Sequence, residues 1–278
     1  MVSTTTILAV LVTLFISLIL PVIAYIVYGA KNKGKGVWSA WLLGAAGFFV
    51  FQIIIRTPIL SVLSLIPGYV AFVTEHYVLY CLVLAFTAAL FEVVGRYIVA
   101  KIMRKNLSYE RSMAAGMGHG GIEAMIIVGM TYINNIVYIV MINTGSFDSV
   151  VEQTAALGVD TSQLIGIKDS FLSMSSGIFL LAGYERILTM ILHVALSMLV
   201  CYFVSRKKDI QGIVVCVLIH WMTDFVSPVV NGMATDYLGN AISTSTAYVI
   251  IYSFLTVIAV VSILIIKHLK KNWVVEKA

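Results

Sequence analysis

The run YVLYCLVLAFTAALFEVVGRYIVAK, residues 77–101, decides the fold. About 20 mainly apolar residues cross a bilayer as an α-helix rising 1.5 Å per residue, and this run is long enough. It closes on Lys101, a residue type that favours the membrane–water boundary. Yet Glu92 and Arg96 lie inside it. Ionisable groups at membrane depth are expensive and are kept where they pair, bind something or do chemistry. The run reads as a membrane span with a polar site built into it.

The rest of the chain repeats the pattern. Its 278 residues are 60% hydrophobic and 11% charged, with a mean hydropathy of +1.01. A soluble domain is roughly a quarter charged. Long apolar runs suit helices, whereas outer-membrane barrel strands are short and alternating. The expected fold is all-α: a polytopic helical membrane protein, one integral-membrane domain over residues 1–278. About seven spans are expected, near 6–29, 37–55, 77–100, 112–142, 185–204, 211–230 and 245–266. The first apolar run, Ile7 to Tyr28, lacks a basic leader and exceeds a signal-peptide core, so it reads as a retained span. Residues 57–75, with Pro58, Pro67 and Gly68, read as an interfacial or re-entrant segment. Residues 146–184 read as an outer stretch with a short amphipathic helix. Cys81, Cys201 and Cys216 form no spaced pattern and read as small buried hydrophobes.

The net charge of +5 might suggest a nucleic-acid partner, but the basic residues flank the spans and report topology instead. Lys31, Lys33 and Lys35, then Lys101, Arg104, Lys105 and Arg111, then Arg206, Lys207 and Lys208, and finally Lys267, Lys270 and Lys271 fall on alternate loops. The intervening loops carry Glu75, Asp148, Glu152, Asp160, Asp169 and Asp236. Basic loops stay in the cytoplasm, so the N-terminus is expected outside and the C-terminus inside.

Three pairs of polar residues are spaced i,i+4 within the spans: Glu92 with Arg96, His119 with Glu123, and His220 with Asp224. His193 lies in another apolar run, with Ser197 four residues on. Counting 1.5 Å per residue from the nearest basic cluster puts Glu92 about 14 Å deep, His119 about 12 Å, His220 about 18 Å and His193 roughly 20 Å. All four occupy one layer in the cytoplasmic half. Residues i and i+4 share a helix face. Glu92 and Arg96 can therefore pair, and His220 with Asp224 can either ligate one ion together or let the carboxylate orient the ring. His119 and Glu123 offer the same choice. Gly116, Gly118, Gly120 and Gly121 around His119 allow close backbone approach or a local break.

Each feature alone has a bland explanation: a histidine bonding between helices, a structural ion pair, glycines for packing. Taken together they match a catalytic zinc site, with three protein ligands and an open position. His119, His193 and His220 suit the ligand set, with Glu92 as general base.

At these residues the chain resembles the YhfC family of intramembrane metalloproteases, within the wider group of CAAX-processing and bacteriocin-processing membrane peptidases. The likeness rests on Phe91-Glu92-Val93-Val94-Gly95-Arg96-Tyr97, on Gly118-His119-Gly120-Gly121-Ile122-Glu123, on Glu185-Arg186 ahead of His193, and on His220-Trp221-Met222-Thr223-Asp224. The resemblance implies a glutamate-activated water attacking a peptide bond of a membrane-associated protein or peptide, beside a Zn2+ ion. It implies Glu92 as the catalytic glutamate with Arg96 as its motif partner. The implied ligands are His119, His193, His220 and Asp224, in a bacterial plasma membrane. Phe91 stands where the wider group often has a second glutamate, and Ala115 where it usually has Phe, so either His119 or Glu123 can face the metal. Two rivals share these residues: a transporter of divalent cations or protons, and a non-catalytic membrane scaffold.

Overall fold

A computed structural model describes residues 1–273, and among these the secondary structure is helical throughout. Seven of the described helices are long and apolar enough to cross a membrane, as the composition requires. They are span one (Thr4–Lys31), span two (Val37–Leu63), span three (Tyr77–Ile102), span four (Tyr109–Thr144), span five (Ser176–Ser205), span six (Asp209–Met233) and span seven (Thr244–Asn272). Leu42, Ile54, Val249 and Leu264 on their surfaces are exposed, an arrangement that suits lipid rather than water.

Two boundaries differ from the sequence expectation. Span two does not stop near residue 55. It passes through a π-helical stretch, Phe49–Arg56, and continues as α-helix from Thr57 to Leu63. Pro58 follows directly on the π-helical stretch, inside this continuous helix. The chain breaks only at residues 64–66, before the short helix Pro67–Glu75. Span five begins at Ser176, because Glu185 pairs with Arg186 inside a helix that an apolar-run criterion starts too late.

The chain divides into two compact units. The first comprises Met1–Ile23 and Ala124–Ile187. Its core gathers Val10, Tyr132, Ile139, Phe147 and Phe171. The Phe179 carbonyl accepts from both Thr13 Oγ1 (2.8 Å) and Tyr132 OH (2.7 Å). The stretch after span four holds two helices, Ser146–Ala156 and Ser162–Ser173. Asp160 opens the second by accepting from the Ser162 backbone N–H (2.9 Å) and hydroxyl (2.8 Å), which holds its carboxyl below the usual range. Arg186, paired with Glu185, is buried.

The second unit comprises Ala24–Glu123 and the chain from Leu188 on. Small residues build its core: Ala40, Ala45, Ala89, Ala100, Ala114 and Ala115, with Val93, Leu196 and Val200 between them. Lipid tails are as apolar as leucine, so helices in a membrane associate by close backbone approach rather than by hydrophobic drive. Gly44 lies against the Ala115 carbonyl and Gly118 against the Trp41 carbonyl, contacts that leave no room for a Cβ. Gly47 and Gly95 face each other in the same way, and a Cβ on Gly95 would meet the Gly47 oxygen at 2.8 Å. These approaches clamp spans three and four onto span two. Span six is tied to span three by Trp221 Nε1 donating to the Leu82 carbonyl (2.9 Å) and Tyr77 OH donating to the Pro228 carbonyl (3.0 Å).

Candidate metal centre

Five spans of the second unit converge on one carboxylate, that of Glu92, which is 4% exposed. Its Oε2 accepts from His119 Nε2 of span four at 3.0 Å and from Arg96 Nη2, one turn along span three, at 3.1 Å. His220 Nε2 of span six lies 3.6 Å from the same oxygen and His193 Nδ1 of span five 3.7 Å. Its other oxygen, Oε1, accepts from Gln52 Nε2 of span two at 2.6 Å. The structure thus brings Glu92, Arg96, His119, His193 and His220 together around a single point.

The two carboxylates expected beside the histidines are there as well. Glu123 Oε2 lies 2.6 Å from His193 Nε2, and Asp224 Oδ2 lies 3.3 Å from His220 Nε2. His119 and Glu123 both enter the cluster from span four. The rings pack in sequence. His119 stacks on His193 with centroids 5.5 Å apart, and His193 meets His220 edge-on at 5.4 Å.

Glycine makes this possible. A Cβ on Gly120 would meet the His193 Cβ at 2.9 Å, and one on Gly116 the Val194 Cα at 2.7 Å. Spans four and five touch backbone to backbone at the height of the histidines, and the helix Tyr109–Glu123 runs unbroken through its glycines. The glycines act by close approach, not by a break.

The hydrogen-bond chemistry fixes one tautomer. Arg96 Nη2 lies 2.5 Å from His193 Nδ1, and a guanidinium only donates. Nδ1 must therefore accept, which assigns the ring proton to Nε2, facing Glu123.

Glu92, His119, Glu123 and His193, all buried, offer nitrogen and oxygen donors within 4.8 Å of one another. Imidazole with carboxylate suits zinc and its first-row neighbours. The residues present fit such an ion. His220, expected among the ligands, stands beside this four-donor set with Asp224.

Two participants escaped the sequence reading: Gln52 and Arg56. Gln52 is 7% exposed, and its Oε1 accepts from Arg56 Nη1 at 3.3 Å. The available signal was their own i,i+4 spacing. It was hidden because a neutral amide carries little weight in a charge-based reading and Arg56 fell at the expected end of its span.

The chain matches the family model described as YhfC intramembrane metalloprotease over residues 16–249. It is 30% identical over 196 residues to a Bacillus subtilis (strain 168) protein described as uncharacterized membrane protein YhfC, covering 70% of this chain and 74% of that one. No solved structure matches.

Proposed function

This chain belongs to the YhfC intramembrane metalloprotease family, and from that premise we propose that it hydrolyses a peptide bond of a membrane-associated protein or peptide. The observation that carries the reading is the donor cluster, in which four buried ligand atoms from spans three, four and five lie within 4.8 Å of one another. We assign His119, His193 and Glu123 to hold a divalent ion, zinc by its donor set, with Glu92 as general base. Bound there, the ion would polarise the scissile carbonyl and acidify a water.

The chain's own groups divide the remaining work. Glu92 takes a proton from the attacking water on Oε2, the oxygen that faces the imidazoles, and returns it to the leaving amine. Arg96 holds Glu92 through Nη2. Its Nε and Nη1 make no hydrogen bond within the protein, and the side chain lines a cavity of about 10 Å³ shared with Ser197 and Cys201. That volume admits a water at most. Arg96 is therefore a positioning residue, out of reach of a peptide carbonyl. His220 Nε2 lies between Glu92 (3.6 Å) and Asp224 (3.3 Å), whose side chain is 34% exposed. We assign this pair to pass a proton to and from Glu92.

A substrate drawn from the bilayer suits the surroundings. An apolar cavity of about 400 Å³ opens between spans five, six and seven, lined by Leu192, Leu196, Met222, Phe254 and Ile258 among others. With the basic loops taken as cytoplasmic, the centre lies in the cytoplasmic half of a bacterial plasma membrane.

The test compares protein N-termini in membranes of cells carrying the wild type or Glu92→Gln. A new terminus present only with the wild type is expected. Identical termini in both would contradict the peptidase reading.

A further inference from the structure

We propose that Gln52 and Arg56 form a positioning arm that fixes which oxygen of Glu92 is offered to the histidines. This rests on the metal-site reading above and adds two residues to it.

Glu92 has two chemically equivalent oxygens, and a metal site needs one of them held still. Gln52 Nε2 occupies Oε1 at 2.6 Å, so Oε2 alone meets His119, His193 and His220. An amide can flip, and a flipped Gln52 would set its carbonyl oxygen against the Glu92 carboxylate, a repulsive contact. Arg56 prevents this. Its Nη1 donates to Gln52 Oε1 at 3.3 Å, and a guanidinium has no acceptor for an inverted amide. Arg56 is itself anchored to span three, with Nη2 donating to the Leu84 carbonyl (2.8 Å) and Nε to Thr87 Oγ1 (3.2 Å).

The backbone is shaped around the same residue. Phe49–Arg56 is π-helical, a wide turn that in proteins often marks a functional position. Its closing bonds both end on Gln52: the Thr57 N–H and the Thr57 hydroxyl (2.8 Å) donate to the Gln52 carbonyl. Upstream, the Gly47–Gly95 approach brings span two close enough for an amide to reach a carboxylate on span three. The orientation of Glu92 is thus set by a chain of contacts running Leu84 and Thr87, Arg56, Gln52, Glu92.

The experiment measures zinc affinity by competition with a chromophoric chelator, on metal-stripped protein in detergent. The proteins are wild type, Gln52→Met, Arg56→Met and the double variant. Partners of ligating or metal-facing groups typically contribute about 10–100-fold in affinity, and Gln52→Met is expected to lose that much, since Glu92 is then free to swing its charge away from the ion. Arg56→Met is expected to weaken binding too, but to add nothing in the Gln52→Met background. A residue that merely supports the fold would instead add its loss. Should Gln52→Met not fold, Gln52→Leu removes the donor without adding charge and carries the same expectation. Wild-type affinity in the Gln52 variant, or additive losses, would overturn the positioning arm alone. A wild type that binds no zinc would overturn the metal reading and this proposal with it.

Discussion

His193 Nε2 stands 2.6 Å from Glu123 Oε2, joining spans five and four inside the polar cluster. Because Arg96 occupies Nδ1, this Nε2 is the ring position left for an incoming cation. A cation binding here must displace the proton shared with Glu123. The expected consequence is that Glu123→Gln lowers zinc affinity by about 10–100-fold or more. A chelator competition on the folded variant measures the loss.

Arg96→Met should be far more damaging than Lys101→Met. Arg96 pairs with Glu92 where both side chains are buried, and removing one partner of such a pair costs about 3–5 kcal/mol. Lys101 pairs with Asp209 at 2.8 Å, but the two side chains are 38% and 24% exposed, and solvent screens such a pair, so its loss is expected to matter little. Denaturant titration of the two variants in detergent measures the difference.

Gly120→Ala should destabilise by about 1–3 kcal/mol and disturb metal binding, because its Cβ would press on the His193 Cβ and the Met190 Cα. Gly68→Ala is the control. It lies in the helix Pro67–Glu75 with open space around its Cα, so alanine is expected to be neutral or to stabilise by about 0.4–1 kcal/mol. Melting temperatures of both variants, with zinc affinity for the first, decide the matter.

The distribution of lysine and arginine predicts a cytoplasmic C-terminus. A fluorescent protein fused after the C-terminus should fold and fluoresce inside the cell, while an alkaline phosphatase at the same place should be inactive. Active phosphatase would invert the topology and move the polar cluster to the other half of the bilayer.

Much of the fold was legible because a bilayer demands long apolar runs and basic residues collect at their ends. The boundaries were not, for local reasons. Pro58 reads as a breaker but sits inside a continuous helix, and Glu185 with Arg186 reads as an end but is a pair inside a helix. The polar residues of spans three to six stood out through their depth. Gln52 did not, since its importance depends on a π-turn and on the Gly47–Gly95 contact, neither of which has a one-dimensional signature. Where His220 stands relative to the four-donor group was likewise not legible, because it depends on how span six packs on span three.

The measurement that bears most directly on the whole account is the metal content of the purified wild type beside a His119→Ala, His193→Ala double variant. Stoichiometric zinc in the wild type, lost in the folded variant, is the expected result. A metal-free wild type, or equal zinc in both proteins, would contradict the account.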